Sequence, residues 1–430
     1  YFKRRFSEEL SYIKPAQYSY VSIKILNKKI LSNIIRYFGL KLLIKIFSTK
    51  SNKNFKSKII VDDLKSKSEM SRMIDLFSNF KKNEVIFVVR KNFKNMDKNV
   101  IFFIQEDFKN YSKEVLKNKF RLFDITELLF LLKYSLKSKL NLFIVYKNFI
   151  NDFFYYSSLF SNIQGKIIIQ ERILGRTNTI KNFLFKKYCN GRNGYLQTHI
   201  FPFDTQSLFF NCDIFFSMGC SSFSSLLSLG AKINEVVPVG SHSQNYNLSK
   251  NRDFSKEIKI LKKSKPIDIL FLGTNINKRN DWTGYYETIN WLKTISKEKN
   301  INVFIKHHRA WQDDYKEKEI LKDSNVKYFP QNLNTYYFAL NANFLITYAS
   351  TMGYEFIPLN KKIYFTDPFG NNNFINEELI SDEIVINTLN ELKKRISNNN
   401  YNIKSKLDNY GIDYKKTKNI ISNKINEILY

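Results

Sequence analysis

A chain of 430 residues exceeds one ordinary core, and a hydrophobic content of 43% supplies material for two, so disorder and a single small domain are both excluded. A formal net charge of +30 calls for a polyanionic partner. The lysines are spread along the chain with no nucleic-acid recognition motif among them, so nucleic acid is set aside in favour of an anionic membrane surface or an acidic substrate. Cys189, Cys212 and Cys220 stand at no paired or metal-ligand spacing; with only four histidines in the chain, neither a disulfide framework nor a structural zinc site is expected.

In chain order, the run 30–47 (ILSNIIRYFGLKLLIKIF) has nearly the length of a membrane span, but Arg36, Lys41 and Lys45 interrupt it at a high cost in a bilayer core. Two readings stay open: a basic helix lying with an apolar face on a membrane surface, or a helix packed on the first domain. No secretory leader is legible from Tyr1 onward, so a cytoplasmic site is expected, with peripheral contact at the inner face of the membrane. Residues 48–57 read as a polar linker. Short β-branched and aromatic runs then recur at 58–61, 85–89, 100–105, 140–146, 166–170, 213–217 and 235–239, with helical periodicity at 125–136, 149–163 and 179–188. After a lysine-rich stretch, 246–265, the rhythm restarts. Strands are predicted at 267–272, 302–306, 326–329, 342–347, 362–365 and 383–386, and helices at 285–296, 315–322, 335–340, 352–359 and 388–396. The last periodic segment, 414–429, fits either lobe.

Alternation on this scale implies parallel sheets covered on both faces. The expected fold is α/β, with two doubly wound, Rossmann-like lobes facing across a cleft. Residues 1–50 form a basic amphipathic segment, 51–250 an acceptor lobe and 251–430 a nucleotide-donor lobe. Ligands of such lobes sit at the carboxyl ends of the strands, so the residues at those ends are the candidates.

One strand runs into Ile305-Lys306-His307-His308-Arg309, which puts two histidines beside two cations. These groups can bond phosphate oxygens and stabilise charge on a departing nucleotide; two rings satisfied by local backbone is the competing reading. His308 is expected to be catalytic, with Lys306, His307 and Arg309 binding the donor. A second strand passes through Ser350-Thr351 into a helical pattern. Either hydroxyl can cap that helix, whose first N–H groups make an anion site, and Glu355 one turn on can accept from ribose hydroxyls. Gly273, Thr274 and Asn275 open the polar loop 273–281 and let backbone approach a phosphate. In the first lobe, strand 166–170 ends in Glu171, a carboxylate able to take a proton from an acceptor hydroxyl, against the alternative of a salt bridge to Arg172 or Arg176. His199 and Asp204 are candidates for acceptor contact. The stretch 219–225, GCSSFSS, lacks both the Gly-Lys-Ser/Thr ending of a phosphate loop and the G-x-S-x-G of a hydrolase elbow.

Lys306-His307-His308-Arg309 and Ser350-Thr351, with the continuation MGYEFIPLNKKIYFTDP, together resemble a pattern of GT-B glycosyltransferases of bacterial capsule and surface-polysaccharide biosynthesis. In Kdo transferases, bacterial sialyltransferases and CDP-glycerol glycerophosphotransferases, Lys-x-His-Pro is followed by Ser-Ser or Ser-Thr opening a helix. The resemblance covers the second lobe, with Arg309 where the pattern has Pro; of the sialyltransferases' acidic pair and glycine, only Glu171 is matched. It implies that the histidine and the hydroxyl pair hold the phosphate of a cytidine nucleotide.

The resulting expectation is a glycosyltransferase that passes a sugar to a surface-glycan or lipid-linked acceptor, with a CMP-linked Kdo or sialic-type donor ahead of a UDP-linked one. Because CMP departs as a monophosphate, fixed donors at its phosphate can replace a metal, and no cofactor is expected. The alternatives are a CDP-glycerol glycerophosphotransferase using the same pocket, a GT-B-shaped nucleotide-sugar epimerase, and a non-enzymatic polyanion-binding protein.

Overall fold

A computed structural model describes residues 30–49, 55–93, 100–104, 111–112, 124–138, 141–171, 178–198, 210–220, 222–249, 253–262, 267–274, 282–308, 314–372, 375, 380, 382–398 and 413–430. The first lobe is built on a seven-stranded sheet: β1 (Ile59–Leu64), β2 (Val85–Val89), β3 (Ile101–Ile104), β4 (Ile167–Gln170), β5 (Arg192–Leu196), β6 (Asn211–Ser217) and β7 (Lys232–Pro238). The second holds six strands: β8 (Ile267–Leu272), β9 (Ile301–Lys306), β10 (Lys327–Tyr328), β11 (Phe344–Thr347), β12 (Ile363–Thr366) and β13 (Val385–Ile386). Their orders are 7-6-5-4-1-2-3 and 10-9-8-11-12-13. Every neighbouring pair in both sheets is parallel. Each lobe therefore reverses its winding beside its first strand, the Rossmann arrangement and the place where such sheets open a crevice. The expected two doubly wound α/β lobes are what the chain forms.

The helices are α1 (Ile30–Ile46), α2 (Lys67–Leu76), α3 (Ile125–Ser138), α4 (Leu142–Asn162), α5 (Asn178–Cys189), α6 (Ser224–Ser228), α7 (His242–Asn247), α8 (Ser255–Lys262), α9 (Thr283–Ile295), α10 (Tyr315–Ile320), α11 (Thr335–Asn341), α12 (Met352–Phe356), α13 (Leu389–Ser397) and α14 (Thr417–Leu429). Covering both faces explains why the central strands read as continuous apolar runs such as VIFVV and FLIT, all of whose residues are buried. On one face of the first sheet, Ile60, Ile86 and Ile168 pack under α1, α3, α4 and α5; on the other, Ile59, Val61 and Ile169 pack under α2 and α14.

One predicted strand is a helix, and one strand was not predicted. Within the run 140–146, expected as a strand, residues 142–146 open the 21-residue helix α4. Asn141 caps it by accepting from the Ile144 N–H, and its buried residues Phe143, Tyr146, Phe149, Ile150, Phe153 and Phe154 recur at helical spacing. A short β-rich run cannot be told from the first turns of a buried helix by content alone. Strand β5 was not expected, because RNGYL carries Asn and Gly. Gly194 is there for closeness: a Cβ at that position would lie 2.7 Å from the Ile169 side chain and 3.2 Å from Phe216.

The stretch 246–265, expected as the boundary between lobes, contains the end of α7 and all of α8. The chain also returns across that boundary, since α14 packs on the first lobe. Ile421, Ile425 and Leu429 join its core, and the Thr417 hydroxyl donates to the Val239 carbonyl at 2.6 Å. Of the two readings of the run 30–47, packing is realised along one face of α1: Tyr37, Lys41 and Ile44 are buried against the first lobe. Because Ile425 is fully buried, Ile425→Ala should lower unfolding free energy by about 2–5 kcal/mol in urea titrations. A loss well under about 1 kcal/mol would mean that α14 is not part of that core.

Candidate functional site

In the second lobe, parallel register brings three strand ends level: Leu272 of β8 pairs with Lys306 of β9 on one side and Thr347 of β11 on the other. The segments that leave these ends are held close. The Gly273 N–H donates to the Lys306 carbonyl at 2.8 Å. A Cβ on Gly273 would lie 3.1 Å from that oxygen and 3.4 Å from His307 Nδ1, so a larger residue would push the loop away from the histidine. The Thr347 hydroxyl accepts from the Ser350 N–H at 2.9 Å and donates to the Leu272 carbonyl at 3.1 Å, folding the turn after β11 back over β8.

These ends line a cavity of about 650 Å³, bordered by Gly273, Lys306, His307, His308, Ser350, Thr351, Met352 and Glu355. Its far wall is the segment 331–336; Arg72, Ser243 and Asn247 border it from α2 and α7, and the carboxylates Asp253 and Glu257 line it as well. The two histidines have separate surroundings. His307 is buried, with Nε2 3.1 Å from Glu317 Oε1 and its ring against Tyr328; the other Glu317 oxygen accepts from the Tyr285 hydroxyl at 2.8 Å. His308 is exposed and lies at the cavity. Lys306 donates to the Gln331 side chain at 2.8 Å, with its ammonium over the Phe329 ring.

The expected capping of α12 is not observed. Thr351 at its N-cap position takes helical angles (φ −64°, ψ −18°) and makes no side-chain cap, and α12 is five residues long. Ser350 and Thr351 border the cavity instead. Glu355 is buried, accepting from the Tyr336 hydroxyl at 3.2 Å and from the Ser241 hydroxyl. Burial pushes its carboxyl up to about 7, against the lowering effect of those two bonds and of the Arg72 charge.

In the first lobe, Glu171 follows β4; Arg172 and Arg176, the salt-bridge partners the sequence offered, lie outside the described residues. One of its oxygens accepts from Arg72 Nη2 at 2.7 Å and Nε at 3.1 Å, and stands 2.9 Å from His242 Nε2. Burial works to raise this carboxyl, but the His242 bond and the Arg72 charge prevail and hold it below the usual carboxylate range. Burial lowers the His242 pKa, with the Glu171 bond opposing, so the ring is neutral at pH 7 and donates its Nε2–H to the carboxylate.

Gly273, Lys306, His307, His308, Ser350, Thr351 and Glu355 are thus brought to one cavity. Thr274 follows Gly273 without bordering it, and Glu171 reaches it through Arg72. Asn275, Arg309, His199 and Asp204 lie outside the described residues. Sequence reasoning missed Arg72, Tyr336 and the segment Ser241-His242-Ser243. Only the last carried a signal: a histidine between two serines, just after a strand.

No protein-family model matches the chain, and no curated protein sequence does. Solved structures do. The Staphylococcus aureus MnaA–UDP structure has a TM-score of 0.51 at 14% identity, covering 87% of this chain and 97% of that one. UDP-GlcNAc 2-epimerase from Neisseria meningitidis bound to UDP-GlcNAc gives 0.51 at 12%, covering 86% and 100%. The wall teichoic acid polymerase TagF gives 0.50 at 10%, covering 93% and 96%. The class that fold and topology define is the GT-B fold: two Rossmann-like lobes, here with a polar cavity at the strand ends of the second.

A carboxyl whose pKa is raised on folding binds its proton more tightly in the native state, so its contribution to stability falls as pH rises from 4.5 towards 7. Glu355→Gln keeps an oxygen acceptor and abolishes that titration. The stability of the variant relative to the parent should therefore rise by about 3 kcal/mol between pH 4 and pH 8 in urea unfolding. A pH-independent difference would show that Glu355 titrates normally.

Proposed function

We propose that the chain is a glycosyltransferase that transfers a sugar from a nucleotide-activated donor held in the cavity of the second lobe. A CMP-linked Kdo or sialic-type acid is the leading donor, and a surface glycan or lipid-linked glycan at the inner face of the cytoplasmic membrane is the acceptor. The observation that carries this reading is the convergence of His308, Lys306, Ser350, Thr351 and Glu355 on one cavity at the switch point of a Rossmann lobe. Two similar structures, one with UDP and one with UDP-GlcNAc bound, support a nucleotide-linked ligand.

In this mechanism the acceptor hydroxyl attacks the anomeric carbon, the bond from that carbon to the phosphate oxygen breaks, and CMP departs. His308 and Lys306 supply charge to the departing phosphate, and the Ser350 and Thr351 hydroxyls add neutral donors. Such a set can do the work that a divalent cation does elsewhere. Glu355 takes the ribose hydroxyls, exchanging Ser241 or Tyr336 for them. Glu171 is the proposed base for the acceptor proton; since Arg72 and His242 occupy the same oxygen, its second oxygen is the one to receive it. Glu171→Gln should retain donor binding and lower turnover about 100-fold or more. Near-normal turnover would leave Glu171 with its ion pair alone.

Two other reactions fit the same cavity. Likeness to a UDP-GlcNAc 2-epimerase favours an epimerase as the second reading, and glycerol-phosphate transfer from CDP-glycerol is the third. Acceptor-dependent CMP release, acceptor-free isomerisation of a UDP-sugar and phosphodiester formation separate the three. Thermal shift with CMP, CDP, UDP and GDP identifies the base, since tight binding protects the fold by mass action.

His308→Ala and the Ser350→Ala/Thr351→Ala double change should each cost about 1.5–3 kcal/mol in nucleotide affinity or turnover, roughly 10- to 150-fold. Because these groups share one phosphate, their losses should not add in a double-mutant cycle. If both variants fold and bind nucleotide like the parent, the donor site lies elsewhere.

A further inference from the structure

Nine of the fourteen large apolar side chains exposed among the described residues fall on α1, on Phe47 just after it, or on α3. The two helices are neighbours. Both pack on α4, with the Tyr37 ring 5.7 Å from Tyr146 and the Ser135 hydroxyl accepting from the Leu142 N–H. The buried ion pair between Lys41 and Glu127, at 2.7 Å, ties one to the other.

Each helix already buries a face, so helical spacing puts its remaining apolar residues outward. On α1 the buried residues are Tyr37, Lys41 and Ile44, whereas Ile35, Leu42 and Ile46, at i, i+7 and i+11, project from the opposite side. On α3 Leu131 and Glu127 are buried, while Ile125, Leu129 and Leu136 repeat that outward stripe and are each 60–65% exposed. Within the two helices, the exposed charges beside the stripes have one sign. Arg36 and Lys45 flank the stripe of α1, and Lys133 and Lys137 lie beside that of α3, all exposed. Glu127 is the one acidic residue within either helix, and it is consumed by Lys41.

We infer that α1 and α3 together form a docking surface for an anionic lipid bilayer, with the leucine and isoleucine stripes entering the headgroup–acyl boundary and the four cations meeting lipid phosphates. Single-sign charge around an apolar face is the chemistry of an interfacial helix. No helix among the described residues is long and apolar enough to cross the membrane. The surface lies outside the cavity and does not rest on the proposed transfer reaction.

The test is co-sedimentation of the full chain, without donor or acceptor, with vesicles of phosphatidylcholine alone or mixed with phosphatidylglycerol. The parent should bind the mixed vesicles and be weakened by salt. Leu42→Ser/Ile46→Ser/Leu129→Ser/Leu136→Ser, changes at exposed sites, should lower that binding at least about tenfold with an unchanged circular dichroism spectrum. Arg36→Gln/Lys45→Gln/Lys133→Gln/Lys137→Gln should remove the preference for the anionic lipid. Equal binding by parent and serine variant overturns the proposal, as does a parent that binds neither vesicle. So does a lipid-free parent that light scattering shows to be a dimer while the serine variant is a monomer, because the face would then join two copies. Vesicle binding that disappears on deletion of residues 1–29 but survives the serine changes would assign the contact to that segment and equally overturn it.

Discussion

Two consecutive side chains fasten the lobes to each other. Ser241 and His242, where the chain leaves the first sheet, bond one carboxylate from each lobe: Ser241 holds Glu355 of the second, and His242 holds Glu171 of the first. The α7 backbone and side chains extend the junction, since the Gln244 amide donates to the Glu355 carbonyl at 2.7 Å and the Asn334 amide to the Asn247 carbonyl at 2.7 Å. The two carboxylates are equally enclosed but differ in charge state. Glu171 faces a guanidinium and an imidazole N–H, which outweigh the cost of burial; Glu355 faces two neutral hydroxyls, which do not. A junction with one fixed anion and one carboxyl poised near neutrality sits directly behind the cavity, so whatever binds there meets Glu355 before it meets Glu171.

Parallel pairing turns this junction into a site. In a parallel sheet the strands end at one edge, and the two close spots beside the switch point, Gly273 against Lys306 and Thr347 against Leu272, narrow that edge until His308 and Ser350 border one space. The first lobe carries its own buried polarity. Lys181 pairs with Asp62 at 2.6 Å, and Asn182 bridges Gln170 and the Asn211 carbonyl. Buried charges of this kind are costly unless satisfied, and their partners come from different elements, so each pair locks a helix to a strand in one register. Lys41 with Glu127 does the same for α1 and α3.

Much of this architecture is written locally. A parallel strand covered on both faces must be apolar along its length, so β1, β2, β4, β8, β11 and β12 are visible as runs, and the helices between them as a change of period. His308, Lys306, Ser350, Thr351 and Glu355 were also legible, because a residue at a strand end in a Rossmann lobe has a destination fixed by the topology. Leu142–Tyr146 and β5 were not: the first has strand-like content inside a helix, and the second is a strand that tolerates Gly194 only because Ile169 and Phe216 fill the space above it.

What the sequence by itself determined is therefore the α/β class, the doubling of the lobe and which strand-end residues of the second lobe border its cavity, since each is encoded within one element and its flanks. The tertiary structure alone decided which sheet α14 covers, that Glu171 faces Arg72 and His242, that His307 is enclosed while His308 is open, and that Tyr336 and Ser241 share Glu355. These are contacts between segments tens to hundreds of residues apart. No periodicity or short motif records them, because a side chain's charge state and partners depend on what the fold brings against it, and the local pattern is the same whether that neighbour is water, an arginine or a hydroxyl.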